Sequence, residues 1–167
     1  NAFYYCENLQ VLEFKGEGTK PLTIDSEAFY LTKNLTTLRL PGRLAEMDLQ
    51  ILNQFTKLTT IEIEDGSAHY SAKENCIYNA AGDVLLFAAM NLSGEYEIPK
   101  GVREIGPMAF ANHFGLTKVM IPNYVNVIGE AAFQNCIGIT EVAIEGSRRN
   151  NLLIDAKAFE GWENIVS

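Results

Sequence analysis

Apolar residues recur along this chain with a period of 23. Residues 102–124 laid over residues 125–147 place Ile105 on Ile128, Gly106 on Gly129, and Ala109-Phe110 on Ala132-Phe133. Leu116 falls on Ile139, Val119 on Val142 and Ile121 on Ile144. A partial copy follows, with Ile154, Ala158-Phe159 and Ile165 at an offset of 26. The same frame fits the start of the chain. Ala2-Phe3, Cys6, Leu9, Leu12 and Phe14 form a half unit, and Ile24, Ala28-Phe29, Leu35, Leu38 and Leu40 a full one. A weaker unit has Met47, Leu52, Leu58, Ile61 and Ile63, with Leu52 in the aromatic position.

Each unit predicts the same elements. Residues 116–121 alternate apolar and polar near their end, which reads as a strand. Pro122 closes it, because proline has no N–H to extend a ladder. Val125-Asn126-Val127-Ile128 is a second, shorter extended piece, Gly129 a turn, and Ala132-Phe133 the start of a helical turn with its ring inward. One such unit cannot bury its apolar face, whereas stacked units share a continuous core. The prediction is a β-rich α/β solenoid of about six coils of 23–26 residues, spanning residues 1–167.

The last apolar residue of each strand forms a ladder of Phe14, Leu40, Ile63, Ile98, Ile121 and Ile144, with steps of 26, 23, 35, 23 and 23. The long step replaces the alanine-phenylalanine element. Within it, Cys76-Ile77-Tyr78 and Val84-Leu85-Leu86-Phe87 flank a glycine-containing turn at residues 79–83. Two short apolar runs around such a turn predict a β-hairpin, making residues 65–97 a variant unit.

The run Val125-Asn126-Val127-Ile128-Gly129-Glu130-Ala131-Ala132-Phe133-Gln134-Asn135-Cys136, completed by Ile139, Val142 and Ile144, resembles the BspA-like leucine-rich repeat. The variant unit is similar to one of that family too, through His69-Tyr70, Ile77-Tyr78, Leu85-Leu86 and Ile98-Pro99. The resemblance covers essentially the whole chain and is weakest over residues 47–63. It implies a curved solenoid with a parallel sheet on its concave side. It also implies a bacterial or protist protein that is secreted or held at the cell surface, with a role in adhesion or host-protein recognition. Fold alone does not fix function.

Composition narrows the classes. Of 167 residues, 47% are hydrophobic, which is enough for a packed core and excludes disorder. The longest apolar run, residues 84–90, is far short of the roughly 20 residues a membrane helix needs. A net charge of −8 argues against nucleic acid, which requires a basic face, and against docking on anionic lipid. Cys6, Cys76 and Cys136 have neither close pairing nor zinc spacing, so they read as free thiols. Cys6 and Cys136 lie three residues after a repeat phenylalanine, where Thr32, His113 and Trp162 stand in other units. Such variety reads as packing, with His113 an alternative ligand or pH sensor.

The chemistry of catalysis is sparse. His69 and His113 are the only histidines, and there is no G-x-S-x-G elbow. No cofactor motif is present. Paired carboxylates are the one chemical signal. Strands stacked in register put their outward residues in columns about 4.8 Å apart. One column reads Glu13, Arg39, Glu62, Glu97, Met120, Ala143, and its neighbour Val11, Thr37, Thr60, Glu95, Lys118, Glu141. This predicts Glu62 beside Glu97, with Glu64, Asp65 and Glu95 near them.

Such a patch can dock a basic partner, hold a cation such as calcium, or, remotely, serve as the carboxylate pair of a glycoside hydrolase. The reading adopted is non-enzymatic recognition of a protein or glycan along the concave sheet. Glu13, Arg39, Glu62, Glu95, Glu97, Lys118 and exposed Met120 are its contacts, with Met120 the apolar anchor. The rival is a structural spacer displaying another domain.

The extra residues of the two 26-residue steps, between Phe14 and Ile24 and between Ile144 and Ile154, are expected to protrude on one edge, where Arg148 and Arg149 make a second candidate surface. No polar cap is evident at either end, so the chain is expected to be a fragment of a longer array, and Trp162 is read as packing on a further coil.

Overall fold

The computed structural model describes residues 2–15, 18–146 and 151–162. In chain order it has β1 (Val11–Glu13), β2 (Leu22–Ile24), β3 (Thr37–Leu40), β4 (Leu44–Met47), a 3-10 helix at Leu49–Gln54, β5 (Thr60–Ile63), β6 (Tyr70–Lys73) and β7 (Cys76–Asn79). There follow β8 (Val84–Ala88), β9 (Gly94–Glu97), β10 (Glu104–Ile105), β11 (Leu116–Ile121), β12 (Val127–Ile128), β13 (Glu141–Ile144) and β14 (Leu153–Ile154). The result is the expected β-solenoid. The helical turns expected at the alanine-phenylalanine elements are hydrogen-bonded turns instead. In one coil Ala132 N–H donates to the Gly129 carbonyl (3.2 Å) and Cys136 N–H to that of Phe133 (3.3 Å).

The longer strand of each coil pairs in parallel with its equivalents, giving sheets β1-β3-β5 and β9-β11-β13. The second strands of the coils, with the insertion, form β2-β4 and one six-stranded sheet, β14-β12-β10-β8-β7-β6. Between these two layers lie the repeat rings. Phe3 stacks on Phe29 with centroids 5.3 Å apart, Phe110 on Phe133 at 4.9 Å, and Phe133 on Phe159 at 5.5 Å. In the unit without a repeat aromatic, Leu52 is fully buried and Phe55 meets Phe29 edge-on at 5.6 Å.

The second residue after each repeat phenylalanine is left-handed: φ is 63° at Tyr5, 62° at Leu31, 64° at Asn112, 57° at Asn135 and 83° at Gly161. Asparagine and glycine tolerate that region, which accounts for their recurrence in the later coils. Asn135 Nδ2 also donates to Asn112 Oδ1 (3.2 Å), tying one coil to the next.

The variant unit departs from the prediction. It is a three-stranded antiparallel meander, β6-β7-β8, and not a two-stranded hairpin. The additional turn is Glu74-Asn75, both residues at positive φ (53° and 60°). Such a turn is usually announced by Asn-Gly or Asp-Gly, and Glu-Asn carries a much weaker sequence signal. The predicted turn at residues 79–83 is present, with Asn79 Oδ1 accepting from the N–H groups of Asp83 and Val84 (3.1 Å each).

This meander divides the interior in two. Successive residues of a strand face opposite sides. Accordingly Cys76 and Tyr78 join the core that holds Phe110 and Phe133, while Ile77 joins the core that holds Phe29 and Phe55. Leu85 and Ala88 belong to the first of these, Phe87 and Ala89 to the second. The insertion also covers the edge strands β5 and β4 of the first two sheets with side chains. Asn75 Oδ1 accepts from Ile61 N–H (3.2 Å) on the side of β5 away from β3. Ser67 Oγ donates to the Leu44 carbonyl (2.9 Å), and the Tyr70 hydroxyl accepts from Met47 N–H (3.3 Å).

Candidate functional site

The predicted columns form, in two separate blocks. On the first sheet Glu13 is level with Arg39 and Arg39 with Glu62, while Val11, Thr37 and Thr60 are level in the neighbouring column. On the second, Glu97, Met120 and Ala143 are level, and so are Glu95, Lys118 and Glu141. The register follows from the repeat: inward Leu38, Ile61 and Val119 are buried, so their neighbours in the strand must face out.

The predicted continuity between Glu62 and Glu97 is corrected. β5 and β9 belong to different sheets. The N–H of Ile61, which a continuing sheet would pair with β9, is taken by Asn75. Glu62 turns to the other side and binds Arg39 Nε at 2.8 Å. The two carboxylates therefore lack the strand pairing that would make them neighbours in one column. A cleft of about 440 Å³ lies at Pro41, Arg43, Glu64 and Asp65, and neither Glu62 nor Glu97 lines it. Among the described residues no group of three or more His, Cys, Asp or Glu side chains is placed to hold a metal ion.

The charges of both blocks follow one plan, a cation flanked by two acids. Arg39 stands between Glu13 and Glu62, and Lys118 between Glu95 and Glu141. Lys118 Nζ is 2.9 Å from Glu141. That hydrogen bond first, the Glu141 charge second and the Glu95 charge more weakly push the Lys118 ammonium above its ordinary range, against the opposing effect of burial. Glu13 binds Lys15 at 3.2 Å. These pairs are open to solvent on at least one partner and add little to stability; they set an ordered pattern of charge. Met120, expected to be exposed, is half-buried between Glu97 and Ala143. It offers a smaller apolar contact than the sequence suggested.

The position three residues after the repeat phenylalanine is more than packing. Cys6 reaches only the Tyr4 carbonyl of its own turn, but in the four later coils with a repeat phenylalanine the side chain reaches a carbonyl of an earlier coil. Thr32 Oγ1 donates to Phe3 (2.5 Å), Cys136 Sγ to Phe110 (2.9 Å) and Trp162 Nε1 to Phe133 (2.7 Å), while His113 Nε2 is 3.0 Å from the Ala89 carbonyl. A shared donor was the legible signal: S–H, O–H and N–H are otherwise unlike. Trp162, whose ring also packs on Phe133 and Phe159, is thereby accounted for within the described coils. Burial pushes the Cys136 thiol up to about 12 and raises that of Cys76, so neither is a reactive thiolate.

His113 is buried, with its other ring nitrogen 2.9 Å from the Phe110 carbonyl. Burial outweighs both carbonyls and lowers its pKa. Because the folded value lies below the unfolded one, about 6.5, the unfolded chain takes up the proton first as pH falls. The contribution of His113 is thus complete above that value and declines below it. Urea midpoints measured between neutral pH and about pH 5 are expected to fall more steeply for the native protein than for His113→Thr, which restores the donor used at Thr32. Parallel slopes would remove His113 as the source.

Two exposed surfaces lie outside the residues expected from the sequence. Tyr4, Tyr5 and Tyr30 form one, with Tyr4 stacked on Tyr30 at 5.4 Å. Phe114 and Ile137 form the other, 54% and 57% exposed. They occupy one repeat position, 23 residues apart, outside the core pattern. Arg148 and Arg149 of the predicted basic edge lie outside the described residues, as do Gly16 and Glu17 of the other insertion.

Comparison with known proteins bears directly on this architecture. The model of the BspA type leucine rich repeat region matches residues 1–82 and 85–167, in six copies. No curated protein matches the chain in sequence. A leucine-rich cell surface protein of Faecalibacterium prausnitzii is 22% identical, with a TM-score of 0.72 over 98% of this chain and 54% of its own. The pneumococcal vaccine antigen PcpA is 21% identical, with a TM-score of 0.73 over 88% of this chain and 36% of its own. A leucine-rich repeat protein of Eubacterium ventriosum is 18% identical, with a TM-score of 0.60 over 89% of this chain and 46% of its own. The chain thus spans about half or less of each of these structures, and likeness at this identity concerns the fold. Among the described residues no helix is long and apolar enough to cross a membrane.

Proposed function

This chain belongs to the BspA-type leucine-rich-repeat family, and from that premise we propose that it is a non-enzymatic recognition module whose partner lies along the open face of the longer strands. The observation that carries the reading is the register of Glu13-Arg39-Glu62 and of Glu95-Lys118-Glu141 beside Glu97-Met120-Ala143. Two ordered rows of exposed charge on rigid strands suit a flat or convex macromolecular partner, with the charges giving register and steering.

A place at the cell surface or outside the cell accords with the Faecalibacterium relative, which is described as a cell surface protein. The lengths of the related structures support a longer array of which these residues are one part.

Surface plasmon resonance against a panel of host extracellular proteins and glycans tests the reading, with and without calcium and at two salt concentrations. Saturable binding that weakens with salt, and falls at least about tenfold when Glu95, Glu97, Lys118 and Met120 are replaced together by alanine with the fold intact, is the expected result. Binding indifferent to these changes would refute the open face, and an empty panel would favour a spacer.

A further inference from the structure

The repeat supplies its own controls for judging which exposed residues are out of place. Four residues after the repeat aromatic position (Phe3, Phe29 and Leu52), the first three coils carry Glu7, Lys33 and Thr56, all polar and exposed. In the two consecutive coils that contain β11 and β13, that position holds Phe114 and Ile137. Their exposure of 54% and 57% leaves most of both side chains in water, the costly arrangement for apolar groups. Isolated apolar residues on a surface need no explanation; two in register on neighbouring coils form a patch.

The backbone brings the pair together. A Cβ at Gly138 would lie 2.5 Å from the Phe114 carbonyl oxygen, so the coils are in contact at this level. Asn135 Nδ2 bonds Asn112 Oδ1 just before it, and Cys136 Sγ bonds the Phe110 carbonyl. Both segments then run into the strands that carry Lys118 and Glu141, so the patch lies at the lip of the open face. That face holds the carboxylates of Glu95, Glu97 and Glu141 against the single ammonium of Lys118, three negative charges to one positive.

We infer that Phe114 and Ile137 are the apolar anchor of the recognition surface, and that the partner segment they receive is basic, with an aliphatic or aromatic side chain placed between its cationic groups. The inference rests on the recognition reading above and specifies its partner. The acidic face selects the cations, and the lip supplies the desolvated contact that half-buried Met120 offers only in part. Hot spots of this kind pair an apolar anchor with surrounding charge that fixes orientation.

A random-peptide phage library panned against the purified chain at low salt tests this. Two variants are probed with the enriched peptides: Phe114→Ser with Ile137→Ser, and Glu95→Gln with Glu97→Gln. All replaced residues are exposed, circular dichroism checks both folds, and the milder Phe114→Ala stands in if the double serine variant unfolds.

The expected result is enrichment of lysine- and arginine-bearing peptides with an apolar residue, whose affinity drops at least about tenfold on either variant. Loss on the glutamine variant alone would overturn the lip while leaving the open face standing. Loss on neither would overturn both. Enrichment of acidic or uncharged sequences, or no enrichment, would overturn the basic partner.

Discussion

Replacing Phe133 with alanine is expected to lower the free energy of unfolding by about 3–5 kcal/mol. The ring is fully buried and lies between Phe110 at 4.9 Å and Phe159 at 5.5 Å, with Trp162 edge-on at 6.4 Å. Truncation removes the transfer energy of the ring and leaves a cavity whose walls are other aromatic rings held by their own coils. It also forfeits stacking that contributes roughly 0.5–1.5 kcal/mol per pair. Urea denaturation gives the magnitude, and hydrogen exchange gives the location. Phe133 belongs to the core beyond the meander, so protection is expected to fall first in β11 and β13 and least in β1 and β3. A cost below about 1 kcal/mol would mean that the rings do not support the stack.

The second large effect is expected at a residue with no side chain. A Cβ at Gly138 would sit 2.5 Å from the Phe114 carbonyl oxygen and 2.7 Å from that of Leu116. Both are backbone atoms of the adjoining coil and cannot turn aside. Gly138→Ala must therefore part the two coils or bend one of them, at a cost of about 3 kcal/mol, the upper end for overpacking. Gly146→Ala is the control, since a Cβ there meets nothing within 4 Å. It is expected to be neutral or to stabilise by up to about 1 kcal/mol through the unfolded chain. Equal melting of the two variants would contradict the close coil contact.

Much of this was legible because a repeat carries its own register. Matching Ile121 to Ile144 aligns every residue between them, which is why Lys118 opposite Glu141 and Arg39 opposite Glu62 followed from sequence alone. The buried rings were readable for the same reason. The break in the sheet was not. It depends on the Asn75 side chain accepting one N–H from Ile61, a contact made from within the 35-residue step and so outside the 23-residue period. The third strand of the meander was hidden by a Glu74-Asn75 turn without glycine. Phe114 and Ile137 were visible as a pair 23 residues apart, but the core pattern had no place for them, and exposure is a property of the fold.

Everything proposed for recognition requires that the open face receive the partner. Hydrogen exchange of the chain, alone and saturated with the strongest binder from the plasmon-resonance panel, tests it most directly. Exchange is expected to slow in residues 94–97, 114–121 and 137–144, with residues 104–105 and 127–128 on the opposite layer unchanged. Protection confined to that opposite layer, or to the cleft at Pro41, Arg43 and Glu64, would contradict it.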